Sequence, residues 1–322
     1  MGKGNIAVKQ FLRNKDRFAD LVNVQIFGGE LVVKAEELEE IDSEASMLVN
    51  DKRKQKKGLQ RYRDIVMRWK KGPFIAILAC ENQEKVHYAM PVRMMLYDGL
   101  SYADQIRQMW KKRNPAIELS EDEFLSRFCK EDRIYPVISL VFYYGETAWD
   151  GSGDLYGMFW QEDIFREQKF LESYVPNYTL NIVDAGNVSE VERFRTDLQF
   201  ILGMLQYSDK DDGMREYVES HKEYFEHVDI ETYRAIQELL HSKKKLRQLL
   251  PEKSGEEDVN MCRALEALYN DGVSEGIEKG IEEGIRVLVK TCKEFELSKE
   301  QIIEKIEKEF SMPRETAEKF LL

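Results

Sequence analysis

The 322 residues carry 43% hydrophobic side chains, enough to bury the core of one large domain or two modest ones, so disorder along the whole length is excluded. The longest apolar runs, Ile75 to Cys80 and Val137 to Tyr144, fall well short of the roughly 18 residues that a membrane-spanning helix needs. A formal net charge of −12 sets the chain as a whole against a polyanionic partner, so such a partner has to be met by a local patch.

The start, Met1-Gly2-Lys3-Gly4-Asn5, has neither an apolar leader core nor a small-residue cleavage site, and a cytoplasmic protein is expected. Cys80, Cys129, Cys262 and Cys292 lie far apart with no Cys-x-x-Cys pair, which suits neither a disulfide framework nor a zinc site. The first predicted element is a helix over Val8 to Phe27, on which Phe11, Leu12, Phe18, Leu21, Val22 and Phe27 recur at helical spacing. An acidic connection follows. The chain then turns basic: Lys52, Arg53, Lys54, Lys56, Lys57, Arg61, Arg63, Arg68, Lys70 and Lys71 stand against a single acid, Asp64, which makes a local cationic field or a solvated charged face.

Within that stretch, Arg63 to Trp69 and Phe74 to Cys80 read as two strands of a hairpin around Lys70-Lys71-Gly72-Pro73. The second strand is apolar at every position, which predicts a central place in its sheet with both faces covered. Pro91 suits the first turn of a helix that runs to about Arg113, where Arg107, Lys111, Lys112 and Arg113 form a second basic cluster. Tyr135 to Tyr144 and Tyr178 to Val183 complete a mixed sheet with a parallel crossover, an α/β core ending near residue 187.

From 188 to 322 the pattern is helical, with segments near Val191 to Tyr207, Glu231 to Leu250, Glu257 to Tyr269 and Val273 to Phe295. Gly272, Gly276, Gly280 and Gly284 recur every four residues, each followed by an aliphatic side chain. Each interior glycine costs a helix roughly 0.8–1 kcal/mol against alanine, so the stripe points to close approach of another helix, in a homo-oligomer or within the chain, with a frayed, solvated tail as the alternative. The interleaved Glu and Lys exclude a membrane-embedded version.

The chemistry legible in the core is that of phosphodiester hydrolysis, in which a divalent ion activates water and neutralises charge on the phosphate oxygens. Magnesium takes hard oxygen ligands, commonly one or two carboxylates with waters completing the octahedron. Asp64 and Glu81 meet that demand. With an even-numbered hairpin loop, residue 64 falls opposite residue 79, and Asp64 stands diagonal to Glu81 at about 7–8 Å between Cα atoms, with Gln83 on the same face. An odd-numbered loop would send these groups to opposite faces unless a bulge intervened.

Arg63-Asp64-Ile65-Val66 followed by Glu81-Asn82-Gln83 resembles the D…(D/E)-x-Q form of the PD-(D/E)XK nuclease motif. The run from Gln83 to Tyr97, Q-x-x-x-H-Y-x-M-P-x-R-x-x-x-Y, the segment Pro136 to Trp149 with Tyr143-Tyr144-Gly145-Glu146, and the C-terminal Gly-Ile-Glu-Lys-Gly-Ile-Glu-Glu-Gly run are similar to those of YhgA-like recombination-promoting nucleases. The resemblance spans about Phe11 to Arg286. It implies a restriction-endonuclease-like mixed sheet flanked by helices, a C-terminal helical region, and a Mg2+-dependent DNA endonuclease, with Ca2+ or Mn2+ as alternative ions, linked to recombination or phage defence. It assigns Asp64 and Glu81 to the metal, adds the Asn82 backbone carbonyl as a ligand, and puts Gln83 where a lysine is usual. Gln83 carries no charge and can orient water without acting as an ammonium group; Arg63 replaces the motif's proline.

Several other residues are candidates with competing readings. Asp20 is a further acid for the metal or a solvated acid on an amphipathic helix, and Asp42 and Glu44 are similar. His87 is a proton shuttle or a structural hydrogen-bonding group. Arg93, near the positive end of its helix, binds the scissile phosphate or makes a structural salt bridge. Trp69, Trp110, Tyr143 and Tyr144 read as core rather than base-stacking platforms. Beside the endonuclease stand two alternatives: an inactive nuclease fold that binds nucleic acid or a partner protein, and an oligomeric scaffold built on the C-terminal helices.

Overall fold

The computed structural model describes residues 3–41, 46–47, 59–60, 64–71, 74–159, 173–207, 213–240 and 258–321. Asp42, Glu44, the turn residues Gly72 and Pro73, and the basic stretch from Lys52 to Arg63, apart from the backbone of Leu59 and Gln60, lie outside them. The chain divides into two compact units, Met1–Val259 and Asn260–Leu322.

The first unit opens with two helices where the sequence predicts one, α1 (Lys3–Arg13) and α2 (Lys15–Phe27). The break is local. Asn14 leaves the helical region at φ −56° and ψ 124°, and its side-chain oxygen accepts the backbone N–H groups of Asp16 and Arg17 at 3.0 and 3.3 Å. An amide placed there satisfies the orphan donors of a new first turn, while the apolar spacing runs on undisturbed across it.

A five-stranded sheet follows, with β1 (Leu38–Glu40), β2 (Ile65–Lys71), β3 (Phe74–Gln83), β4 (Val137–Tyr143) and β5 (Asn181–Asp184) side by side in chain order. The pairings β1–β2 and β2–β3 are antiparallel, whereas β3–β4 and β4–β5 are parallel. β3 is central, as its apolar sequence predicts. The pairing of Lys71 with Phe74 leaves two residues between the strands, so β2 lies two residues further along the chain than the sequence reading placed it and β3 runs three residues longer, to Gln83.

Helix α3 (Met90–Lys112), with Pro91 in its first turn, covers one face of the sheet. Met90, Met94 and Tyr97 pack there against Val141 and Leu180. The N-terminal helices take the opposite face: α1 lies against β2 and β3, and Phe27 of α2 meets Trp69 edge to face at 6.1 Å. Trp69, Tyr143 and Tyr144 are buried core residues, whereas Trp110 is half-buried against Phe124. Beyond the last strand come α4 (Leu198–Gln206) and α5 (Ile230–Leu239).

The first unit therefore runs past the expected boundary at 187. Arg17 of α2 grips Asp197 with Nε at 2.8 Å from Oδ1 and Nη2 at 2.7 Å from Oδ2, α1 packs on α5, and Val228 pairs with Val259 in a two-stranded sheet. The helices after 187 complete the core that begins at the N-terminus. Where β4 ends, a Cβ on Gly145 would lie 2.8 Å from the Glu84 carbonyl oxygen and would also strike the Tyr143 hydroxyl. Gly145→Ala is accordingly expected to lower the unfolding free energy by about 1–3 kcal/mol in urea titrations.

In the second unit the two predicted C-terminal segments form one helix, α6 (Met261–Glu294), followed by α7 (Lys299–Phe310) and α8 (Arg314–Lys319). Ile285, Val289 and Cys292 pack with Ile302, Ile303, Ile306 and Ala317. The glycine stripe meets a neighbouring helix at Gly284, where a Cβ would stand 3.2 Å from the Phe310 ring, while among the described residues nothing lies within 4 Å of a Cβ at Gly272, Gly276 or Gly280. Gly276→Ala is expected to gain about 0.8–1 kcal/mol of helix propensity and to raise the melting temperature. A lower melting temperature would mean that another helix is seated at that position.

Candidate active site

The C-terminal end of β3 gathers the polar residues of the core. The register pairs Ile65 with Cys80, so one step further Asp64 stands directly across from Glu81, with about 4.5–5.5 Å expected between their Cα atoms. This corrects the diagonal arrangement expected from the sequence. Shortening the loop by two residues moves the register by two and keeps both residues on the same face, the one that α3 covers.

Asp64 occupies a bend immediately before β2. The β2 ladder stops at Ile65, and the Asp64 carboxylate takes over as acceptor, receiving the Asn82 backbone N–H on Oδ2 at 2.9 Å. Both acids are buried, Asp64 at 6% and Glu81 at 1% exposure. Burial pushes the pKa of the Cys80 thiol far up, and the charges of Asp64 and then Glu81 push it further. The Tyr144 hydroxyl is raised in the same way, by burial first and then by Glu84, Glu238 and Asp64.

Glu81 has a cationic neighbour. Nη2 of Arg93 stands 3.2 Å from its Oε2, and the Arg93 side chain is 25% exposed. The Arg93 Nε donates to the Tyr97 hydroxyl at 3.1 Å, and the guanidinium lies 5.4 Å from the Tyr97 ring centroid. Of the two sequence readings of Arg93, the salt bridge is the one present. Asn82 is buried, and its backbone carbonyl accepts the Gln83 side-chain amide at 2.9 Å, so Gln83 is held at the edge of the same group.

A second polar set fixes the helix that carries Arg93. Asp98 of α3 accepts the Ser139 hydroxyl on Oδ1 at 2.6 Å and the Tyr178 hydroxyl on Oδ2 at 2.5 Å, while the Asn181 amide donates to the Ser139 carbonyl at 3.0 Å. These bonds tie α3 to β4 and β5 one strand away from Glu81. Sequence reasoning missed Asp98 and Glu238 because each is an acid on a helix, and nothing local marks it as buried.

The remaining candidates lie differently. Asp20 is buried rather than solvated, and its Oδ2 accepts the backbone N–H groups of Arg195 and Thr196, each at 2.8 Å, and the Thr196 hydroxyl at 2.7 Å. That makes it a clamp on the segment leading into α4. His87 is half-buried; its carbonyl accepts the Met90 N–H at the entry to α3, while its Nδ1 has no hydrogen-bond partner among the described residues. The structural side-chain hydrogen bond expected of it is therefore not made through that nitrogen. Of the cationic strand, Arg68 and Lys70 both pair with Glu39 of β1, at 3.3 and 2.8 Å. The cluster ending in Lys111 and Lys112 sits about 27 Å along α3 from Arg93 at 1.5 Å per residue, with Arg107 paired to Asp104 and Arg113 to Asp132.

The donor set, two buried carboxylates and an adjacent main-chain carbonyl, has the hard oxygen chemistry that a small divalent cation takes. Among the described residues no group of three or more His, Cys, Asp or Glu side chains is arranged to hold a metal. Among the described residues no helix is long and apolar enough to cross a membrane. A family model described as "Putative transposase, YhgA-like" matches residues 5–234. No curated protein and no solved structure matches the chain.

Proposed function

Because the chain belongs to the YhgA-like transposase family, we propose that it is a metal-dependent DNA endonuclease of the PD-(D/E)XK type, acting in recombination, on mobile elements or in phage defence. The observation that carries the reading is that Asp64 and Glu81 are both buried and that the Asp64 carboxylate accepts the backbone N–H of Asn82, the residue after Glu81. Asp64 and Glu81 would hold Mg2+, or Ca2+ or Mn2+ in its place, with the Asn82 carbonyl as a further oxygen. The bound ion would supply water activation and charge neutralisation at the scissile phosphate.

The protein's own contribution is rigidity and exclusion of bulk water. The Asn82 N–H fixes one Asp64 oxygen, Oδ2, at 2.9 Å. Gln83, anchored through its amide nitrogen to the Asn82 carbonyl, keeps its own carbonyl oxygen as an acceptor that can orient a water. It brings no positive charge. That feature favours a second reading, a nuclease fold without turnover that binds nucleic acid or a partner protein.

The test is nicking of supercoiled plasmid by the purified full chain in Mg2+ and in EDTA. Conversion to open-circular and then linear DNA in Mg2+ alone is expected. Salt-dependent binding without any nicking would favour the second reading, and nicking that persists undiminished in EDTA would exclude a metal mechanism.

A further inference from the structure

Glu81 is the most buried acid of the site, and a carboxylate at 1% exposure needs a positive partner, because desolvation disfavours an isolated charge. In this structure the Arg93 guanidinium is such a partner, 3.2 Å from Oε2. A divalent ion seated on Glu81 would bring a second cation onto the same carboxylate, and two cations within a few ångströms in a poorly solvated site repel strongly. We propose that Arg93 is a resident stand-in for the metal: it neutralises Glu81 before loading, is displaced by the incoming divalent ion, and is thereby freed to meet the substrate phosphate. The inference rests on the nuclease reading and specifies how that site is kept ready.

Three observations carry it. The Nη2–Oε2 separation of 3.2 Å is longer than the roughly 2.7–2.9 Å usual for a charge-assisted bond, so the pair is not a tight clamp. Arg93 belongs to the first turn of α3 and is 25% exposed, so its head can leave Glu81 toward solvent without unpacking the helix. Tyr97, one turn further along, holds the Nε at 3.1 Å and offers its ring to the guanidinium, a second resting place that the metal does not compete for. Asp98, bonded to Ser139 and Tyr178, keeps α3 fixed while the side chain moves.

The experiment is calorimetric titration of Mn2+ into wild type, Arg93→Gln and Arg93→Lys, with plasmid nicking measured in parallel at saturating Mn2+. Arg93→Gln is expected to bind Mn2+ about tenfold more tightly while nicking falls, with Arg93→Lys between it and wild type. Equal or weaker Mn2+ binding by Arg93→Gln, with wild type still binding, would overturn the stand-in role and leave the nuclease reading in place. Absence of Mn2+ binding by every form would overturn both. Thermal melts guard against misfolding: Mn2+ is expected to raise the melting temperature of Arg93→Gln by more than that of wild type, and equal increments would count against the proposal.

Discussion

Asp64→Asn and Glu81→Gln are each expected to cut plasmid nicking in Mg2+ by at least about 100-fold, the scale on which a preorganised electrostatic group contributes to a reaction. Both substitutions preserve shape. Asn at position 64 retains a side-chain oxygen to accept the Asn82 N–H, a contact that ties the bend before β2 to β3, so the register should survive. Gln at position 81 removes the counter-charge of Arg93, but Arg93 is 25% exposed and can turn its head to water, whereas Glu81 could not do the converse. Melting curves within a few degrees of wild type, combined with the loss of nicking, would separate lost chemistry from lost folding. Nicking at wild-type rate in either variant would remove that carboxylate from the reaction.

The second large effect is on stability. Asp20→Ala is expected to lower the unfolding free energy by roughly 3–5 kcal/mol, because it strips three donors from one charged acceptor in a buried setting. Two of those donors are backbone N–H groups, of Arg195 and Thr196, which have no freedom to find another acceptor without moving the segment that enters α4. Mn2+ affinity of the folded variant should be unchanged. The checks are a urea midpoint and a Mn2+ titration. Native stability with lost Mn2+ binding would make Asp20 a ligand and not a clamp.

The contrast between these two acids shows which parts of the architecture can be read from the chain. Asp64 and Glu81 are legible because strands impose a period of two and a hairpin fixes register from a single loop length. The error in that reading, diagonal instead of opposite, comes entirely from the number of residues in the turn. Pro91 marks the start of α3, and the apolar run of β3 marks the centre of the sheet, for equally local reasons. Asp20 is different: its donors lie about 175 residues away, and no local pattern encodes that meeting. The Arg17 grip on Asp197, the packing of α1 on α5 and the burial of Glu238 share that character, which is why the first unit runs beyond residue 187.

Local signals also mislead when a single side chain overrides the period. Asn14 splits an apolar pattern that reads as one helix, because a capping amide outweighs the small gain of continuing the turn. The glycines from Gly272 to Gly284 err in the other direction. Their propensity cost points to a neighbouring helix along the whole stripe, whereas among the described residues α6 meets one only at Gly284, against Phe310 of α7. Arg93 falls between the two cases. Its position on α3 is readable, but its pairing with Glu81 depends on how the helix lies across the sheet.

The most direct measurement is anomalous diffraction from crystals of the full chain soaked in Mn2+. A peak at the carboxylates of Asp64 and Glu81 is expected, with the Arg93 guanidinium withdrawn from Glu81. Full occupancy of Mn2+ elsewhere, with Asp64 and Glu81 bare and the Arg93 pair intact, would contradict it.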